Sequence, residues 1–432
     1  MKVGLVSLGC SKNLVDSENL LGWFKANEHT IVSNLSDAEM IVVNTCGFIE
    51  PAKQEGIETI LEMAGYKNKN CKHLVVTGCL VQRYHQDLVE ALPEVDAWVR
   101  IQDYPNIGEL LEEKLHTPYK VVYGKQERLQ STQKHTAYLK IAEGCSNRCS
   151  YCAIPLIRGD MQSYPMDELL VEAQSLADKG VKECVIIAQD TSRYGLDNGV
   201  RALPELLDKL NAIDGLHWIR LLYQYPDAIT DDILNAMKRN TKVLPYFDIP
   251  IQHANNRLLK AMKRKGTKEQ IREVIQKIRS VFPDAILRTT IIVGFPSETE
   301  VEFQEVLDFM EEVRFDRLGA FTYSPEEDTE AYVMEDSIDP SIKEERYHRL
   351  MRLQSLIALE RMERWVGQTI EVCVESREPK TMLFHGRSLH SAPDDVDGEV
   401  IFTADTMLKK GHFVQVKVTS VDAYDLFGEI VN

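Results

Sequence analysis

Short apolar runs alternate with stretches of helical spacing along most of the chain. Val3–Leu8, Met40–Val43 and Leu74–Thr77 have the length and β-branched content of buried strands. Between and after them, Ser17–Ala26, Pro51–Met63 and Gln86–Leu92 space their apolar residues at helical intervals. Such alternation predicts a parallel sheet with helices on its faces. Pro118–Gln133 is polar and reads as a linker. The rhythm then resumes, with strands predicted at Ala137–Ala142, Cys184–Ala188, Trp218–Leu222, Tyr246–Ile249, Ile286–Val293 and Leu318–Phe321. Met166–Lys179, Pro204–Ala212, Asp231–Lys238, Lys268–Val281 and Glu300–Val313 fill the gaps as helices. Six such units predict an open or partial (β/α) barrel, an architecture that carries its site at the C-terminal ends of the strands. A charged amphipathic helix, Ser341–Arg364, is expected to leave this unit. Beyond it Gly367–Val374, Gly398–Phe402 and Gly411–Val418 alternate apolar and polar residues between glycines, the pattern of a small antiparallel barrel. The expected class is therefore α/β, divided at residues 1–117, 131–361 and 364–432.

Composition adds limits. The 432 residues are 44 % hydrophobic and 27 % charged, an ordinary globular balance with ample core. Acids outnumber bases 67 to 50, for a net charge of −17, which disfavours the chain as a whole on a phosphate backbone and leaves RNA contact to a local patch. No run reaches the roughly 18 apolar residues of a membrane span. The apolar stretch before Cys10 is too short for a signal peptide. A cytoplasmic protein is expected, without membrane attachment. Nine cysteines in a reducing compartment point to metal ligation or catalysis rather than disulfides.

Cys145-Ser146-Asn147-Arg148-Cys149-Ser150-Tyr151-Cys152 places three thiols in eight residues after the first strand of the middle unit. Thiolates so close together can hold three irons of a cubane cluster and leave the fourth iron open to a substrate or cofactor. A zinc ion would want a fourth Cys or His nearby, and the nearest histidine, His135, precedes the strand. Three further cysteines each follow an apolar run: Leu8-Gly9-Cys10, Val43-Asn44-Thr45-Cys46 and Val76-Thr77-Gly78-Cys79. Strand C-terminal ends share one edge of a parallel sheet, so these thiols can converge on a second cluster despite their separation in sequence. Buried structural cysteine is the alternative at each position taken singly. Cys184 and Cys373 lie within apolar alternation and read as core, while Cys71 precedes its strand and belongs at the opposite edge.

The Cys145 motif, with Tyr151 before its last cysteine, resembles that of the radical S-adenosylmethionine (SAM) enzymes. Two open-iron clusters followed by a small β-barrel are similar to the methylthiotransferases among them, from Leu8-Gly9-Cys10-Ser11-Lys12-Asn13-Leu14-Val15-Asp16-Ser17-Glu18 to a terminal barrel of the TRAM type. The resemblance implies two 4Fe–4S clusters, an auxiliary one on Cys10, Cys46 and Cys79 and a SAM-binding one on Cys145, Cys149 and Cys152. It implies reductive cleavage of one SAM to a 5′-deoxyadenosyl radical that attacks an unactivated carbon. A second SAM would give the methyl group, and a flavodoxin or ferredoxin the electrons. It also places Tyr151 by the adenine, and Gln189, Asp190, Thr290 and Gly294, at the ends of two strands, in the SAM pocket. Arg158 could meet a carboxylate or lie at the surface. His253, also at a strand end, is more in keeping with a structural histidine.

The family's main branches modify tRNA adenosine or an aspartate of small-subunit ribosomal protein twelve. The terminal unit, 365–432, holds 11 acids and 6 bases, a net −5 concentrated at Ser391–Gly398. A tRNA grip would be basic, whereas an acidic barrel suits a basic ribosomal protein. Cys152-Ala153-Ile154-Pro155-Leu156-Ile157-Arg158-Gly159 and Tyr323-Ser324-Pro325-Glu326-Glu327-Asp328-Thr329 also resemble the ribosomal-protein branch, the tRNA branch tending to a basic residue and proline at Glu326 and Glu327. Two positions depart from the pattern: Tyr164 replaces a usual arginine, and Asp328 a usual glycine. The expected reaction is methylthiolation at the β-carbon of that aspartate. The alternatives are tRNA adenosine methylthiolation and a non-catalytic metal module that docks on ribosomes.

Overall fold

The computed structural model describes residues 1–124, 127–393 and 397–431. Asp394 and Asp395, part of the expected acidic concentration at Ser391–Gly398, lie outside the described residues.

The first unit is a five-stranded parallel sheet of strands β1 (Lys2–Ser7), β2 (Thr30–Ile31), β3 (Met40–Thr45), β4 (His73–Gly78) and β5 (Ala97–Val99), in the order β2-β1-β3-β4-β5. Helices α1 (Ser11–Ala26), α2 (Glu50–Ala64), α3 (Cys79–Ala91) and α4 (Ile107–Leu115) cover it. The alternation of side chains along a strand assigns the faces. Met40 and Val42 of β3 pack with Leu20 and Phe24 of α1 and Leu111 of α4, whereas Ile41 and Val43 pack with Ile60 of α2 and Leu88 of α3. This order has its switch point between β1 and β3, the crevice where ligands of doubly wound sheets bind. The short strands β2 and β5 carry no measurable period in two or three residues, and α4, at nine residues, is a further element that the spacing did not predict.

The polar stretch expected as a linker is instead strapped along α1. Tyr119 stacks on Trp23 at 4.8 Å, the Trp23 indole donates to the Val121 carbonyl at 2.7 Å, and Ser131 N–H donates to the Glu18 carboxylate at 2.5 Å. A segment without secondary structure must satisfy its backbone on neighbours, and α1 presents the partners.

In the second unit β6 (Thr136–Lys140) is followed by a small hairpin of β7 (Ala142–Glu143) and β8 (Gln162–Ser163), which brackets the Cys145–Cys152 loop. Strands β9 (Glu183–Ile187), β10 (Trp218–Leu221), β11 (Tyr246–Asp248), β12 (Ile286–Val293) and β13 (Arg317–Thr322) complete it. Two three-stranded parallel sheets, β10-β9-β6 and β11-β12-β13, are joined by a parallel bridge between Ile219 and Val243. This is the expected partial barrel. Helix Pro340–Glu363 does not leave the unit: Leu350 and Ile357 are buried in the shared core and the Gln354 amide donates to the Phe315 carbonyl at 2.9 Å.

The third unit closes as β14 (Thr369–Arg377), β15 (Leu383–Arg387), β16 (Val400–Thr403), β18 (Leu426–Ile430) and β17 (Phe413–Val421), in that order around the barrel. It is antiparallel except for the parallel pair β16–β18, which the sequence reading did not foresee. The barrel packs on the end of the partial barrel where its strands begin, meeting the first residues Thr136, Glu183, Trp218, Tyr246 and Arg317. Tyr138, Val185, Trp218, Tyr246 and Ile286, from the inward face of the strands, share one core with Val372, Phe384, Phe402 and Val416. Buried charges seal the joint: Glu183 takes Arg220 at 2.7 Å and Arg387 at 2.6 Å, and although burial is the largest single influence, the two arginines together outweigh it and hold the carboxyl at about 2. No helix among the described residues is long and apolar enough to cross a membrane.

Asp328 has φ 61°, the left-handed region that glycine adopts freely and other residues adopt at a cost. Its exposed side chain makes no hydrogen bond among the described residues. Asp328→Gly is therefore expected to stabilise the chain slightly, by about 0.5 kcal/mol once glycine's greater unfolded freedom is counted. A thermal midpoint unchanged or lowered would contradict this.

Candidate functional site

Cys10, Cys46 and Cys79 follow β1, β3 and β4 at the same edge of the sheet, with Cys10 and Cys46 flanking the switch point. Glycines permit the crowding. Gly9 has φ 87°, and a Cβ there would lie 2.7 Å from Cys46 Cβ and 3.1 Å from its Sγ. At Gly78 (φ 102°) a Cβ would meet the Thr45 carbonyl at 2.3 Å. Asn13 ties the strand ends together, its amide donating to the carbonyls of Leu8 and Thr45 at 2.9 Å each. Cys10 is exposed, Cys46 half-buried and Cys79 buried. Burial raises the Cys79 thiol to about 12, although Arg158 opposes it. The Cys10 pKa is lowered: desolvation of the thiol opposes this, and the Lys12 ammonium and the Asn13 N–H together outweigh it.

The second set of thiols lies in the hairpin loop. Cys145 N–H donates to the Gly159 carbonyl at 3.0 Å, and Cys152 N–H to that of Cys149 at 3.1 Å. Asn147 donates to Cys145 Sγ at 3.5 Å and to the Asp190 carboxylate at 2.7 Å. Tyr225 Oη is 3.4 Å from Cys149 Sγ, and Arg264 donates to the same sulfur at 3.7 Å with its guanidinium 4.0 Å over the Tyr225 ring. Burial pushes Cys152 up to about 12, and the neighbouring thiol Cys149 adds to that rise.

The two sets face each other across the helix Ile154–Arg158, which starts two residues after Cys152. Cys79 packs against Ala153 and Ile157 in one small cluster. Arg158 ends that helix with its side chain 1 % exposed, so it is not the surface arginine that its sequence context also allowed. One guanidinium nitrogen meets Asp16 at 2.7 Å and Glu143 at 2.9 Å, and the other meets Asn13 Oδ1 at 2.7 Å and Cys79 Sγ at 3.3 Å. Lys140 pairs with the same two carboxylates, closely with Asp16 and at 2.8 Å with Glu143. Two cations and two anions thus close a neutral buried network between the thiol sets. Tyr164, the departure from the family pattern, lies beside it with the Lys140 ammonium 5.8 Å from its ring centre. An uncharged ring there leaves the balance intact, where an arginine would add a third cation.

The candidate SAM-pocket residues divide. Tyr151 is half-buried among Leu258, Met262, Phe295 and Tyr323. Gln189 donates to Glu143 at 3.1 Å, while its buried carbonyl oxygen has no partner among the described residues, an acceptor open to a ligand. Asp190 is buried and holds Asn147 and Ser192, so it braces the cysteine loop. The Thr290 carbonyl accepts from Gln252 N–H at 2.8 Å. The Gly294 N–H is taken by the Glu298 carboxylate at 3.1 Å, and what approaches its Cα is the Lys343 side chain. His253, also at a strand end, is buried with its ring 3.2 Å from the Glu298 carboxylate. Cys184 and Cys373 are core, and Cys71 lies at the far edge, bonded to the His73 carbonyl at 3.3 Å.

Glu326 is buried and Glu327 exposed, and both hold the N-terminal unit. Glu326, 2 % exposed, pairs with Arg83 at 2.8 Å and Lys53 at 3.4 Å, and Glu327 accepts from Tyr84 Oη at 2.8 Å. They clamp α2 and α3 onto the loop after β13. Lys140, Glu143, Tyr225 and Arg264 have nothing local to mark them in the sequence, and Asp16 appears there only within the Leu8–Glu18 run.

Among the described residues no three His, Cys, Asp or Glu side chains crowd closely enough for one metal ion. In a cubane each thiolate binds a different iron, so its ligands need not converge on a point. The donor chemistry of both sets suits such a group: three thiols each, with an arginine N–H on one sulfur that would favour an anionic ligand shell.

Fold and site together define a radical SAM protein with a second thiol-bearing domain. The Radical SAM superfamily model matches residues 139–310, the Uncharacterized protein family UPF0004 residues 2–100 and the TRAM domain residues 366–431. Proteins named ribosomal protein uS12 methylthiotransferase RimO are similar over the full length. That of Desulforamulus reducens is 49 % identical over 440 residues, covering 99 % of each chain. That of Acetivibrio thermocellus is 47 % identical over 447 residues, covering 100 % of this chain and 98 % of the relative. The chain belongs to this RimO family of radical SAM methylthiotransferases. Among solved structures, the radical S-adenosylmethionine methyltransferase TsrM of Kitasatospora setae shares the fold, with a TM-score of 0.59 at 13 % identity over 77 % of each chain.

Proposed function

We propose that this chain is a methylthiotransferase acting on ribosomal protein uS12, at the β-carbon of an aspartate. The observation that carries the reading is the placement of two three-thiol sets on either side of one short helix, with Arg158 between them. Cys145, Cys149 and Cys152 would hold the cluster that binds SAM, and Cys10, Cys46 and Cys79 the auxiliary cluster. When bound, these groups supply a low-potential electron, hydrogen abstraction from an inert carbon, and sulfur and methyl for transfer. The residues of the chain set the stage for that chemistry. Asn147 and Asp190 fix the loop of the first set, Arg264 offsets negative charge at Cys149, and Asn13 with Arg158 fixes the second set. Gln189 and Tyr151 are the pocket residues best placed for SAM, the first by its open carbonyl and the second by its ring. The three parts, 1–117, 131–361 and 364–432, divide the work into sulfur supply, radical generation and substrate docking. The acidic terminal barrel favours a basic protein over RNA. A flavodoxin or ferredoxin would deliver the electrons, in the cytoplasm where ribosomes are assembled.

The test is mass spectrometry of intact and digested uS12 after anaerobic incubation with reconstituted enzyme, SAM, sulfide and dithionite. A methylthio mass gain on one aspartate is expected. No gain, with 5′-deoxyadenosine still formed, would overturn the substrate and leave the radical chemistry standing.

A further inference from the structure

Lys12 is a buried cation beside the Cys10 thiol with no carboxylate paired to it among the described residues. It lies two residues beyond Cys10 in the first turn of α1 and is 8 % exposed. Its ammonium rests over the Tyr223 ring, 3.4 Å from the ring centre, and among the described residues it forms no ion pair. After Tyr223 and the Cys10 thiol, the charge it feels is that of Asp248, a carboxylate already engaged by Arg288 at 3.0 Å and by the Tyr223 N–H at 2.9 Å. Of the other buried cations, Lys140 and Arg158 are matched by Asp16 and Glu143 and Arg288 by Asp248 and Asp397, whereas Arg264 donates to Cys149 Sγ and the Pro250 carbonyl. Tyr223, the platform under Lys12, has φ 58° at the end of β10, a strained backbone for a residue with a side chain. An unmatched charge and local strain are costs that a fold keeps where a ligand uses them.

Resting on the proposed function, we infer that Lys12 receives the side-chain carboxylate of the target aspartate. The counter-charge that the cation lacks is what that side chain brings, and the partial positive charge of the α1 N-terminus reinforces it. The carboxyl carbon of aspartate is bonded directly to the β-carbon. A carboxylate hydrogen-bonded to the ammonium therefore holds the reacting carbon roughly 4 Å from it. Lys12 is also the neighbour of Cys10, one of the thiols assigned to the auxiliary cluster. Recognition of the carboxylate thus brings the carbon to be modified to the sulfur-bearing side of the site. A neutral nucleobase in the same place would leave the charge buried and unpaired, so Lys12 favours an acidic target over an adenine.

The experiment is binding of fluorescently labelled uS12 to the anaerobically reconstituted protein with SAM but no reductant, so that no turnover occurs. It is repeated with uS12 carrying asparagine in place of the modified aspartate. The unsubstituted protein should prefer the aspartate form by between about tenfold and a hundredfold, the range of a charge-assisted hydrogen bond. Lys12→Gln should bring that ratio close to one by weakening the aspartate form, with iron content retained, and Lys12→Arg should keep much of it. A ratio undiminished in Lys12→Gln would overturn the inference while the substrate stands. Loss of iron with the preference unchanged would do the same, by showing that Lys12 serves only Cys10. Failure of the unsubstituted protein to bind uS12 would overturn the substrate reading and this inference together.

Discussion

Cys149→Ala is expected to abolish both SAM cleavage and methylthiolation, lowering 5′-deoxyadenosine formation by at least about a thousandfold, or roughly 4 kcal/mol of lost barrier reduction. Cys149 is the middle thiol of its loop and the one on which the surroundings converge, with Tyr225 at 3.4 Å and Arg264 at 3.7 Å. Its removal leaves two thiols, too few to retain a cubane with one open iron. The auxiliary set depends on a different sheet edge, so iron content should fall by about half, from roughly eight to roughly four per chain. The measurement is iron and sulfide analysis beside 5′-deoxyadenosine quantitation. SAM cleavage surviving at more than a few per cent would remove Cys149 from the site.

Arg158→Ala should be the most damaging substitution outside the cysteines. The guanidinium is buried and shared by Asp16, Glu143, Asn13 and Cys79. Removing one member of a buried ion network leaves the others uncompensated, at a cost of about 3–5 kcal/mol. Asp16 and Glu143 would face each other with Lys140 alone, and Cys79 would lose its donor. The auxiliary cluster should therefore be lost more readily than the SAM-binding one, the reverse of the Cys149→Ala outcome. Arg158→Lys should rescue little, because one ammonium cannot reach both pairs as the planar fork does. Chemical denaturation midpoints and iron content before and after mild chelation report both effects. A stability loss under about 1 kcal/mol would mean that the carboxylates relax into water once the arginine is gone.

These two substitutions differ in how far the sequence announces them. The Cys145–Cys152 triad is a local pattern, and eight residues of loop can only keep their thiols close. The strand-end cysteines are legible at one remove: each repeats the same context, and a parallel sheet brings such ends to one edge whatever the intervening sequence. The apolar periods likewise specify the parallel sheet, the partial barrel and the terminal barrel, since burying one face of each element leaves few architectures. Arg158, by contrast, meets Asp16 across 142 positions and Cys79 across 79, and no local signal marks such partners. Its charge shows in the sequence, but its burial does not.

The same division runs through the rest of the chain. Composition and spacing by themselves determined most of the elements, the three cysteines of the loop and the three that follow strands, and the acidic balance of the last unit, because helical and strand periods act within a few residues. Tertiary structure alone decided that the polar stretch after Pro118 is strapped to α1 and that helix Pro340–Glu363 stays on the partial barrel. It buried Glu326 as a clamp on Arg83, and left Lys12 buried without a carboxylate partner among the described residues. The reason is physical: whether a charge is solvated, matched or left for a ligand depends on which distant groups surround it, and only the packed chain sets that company.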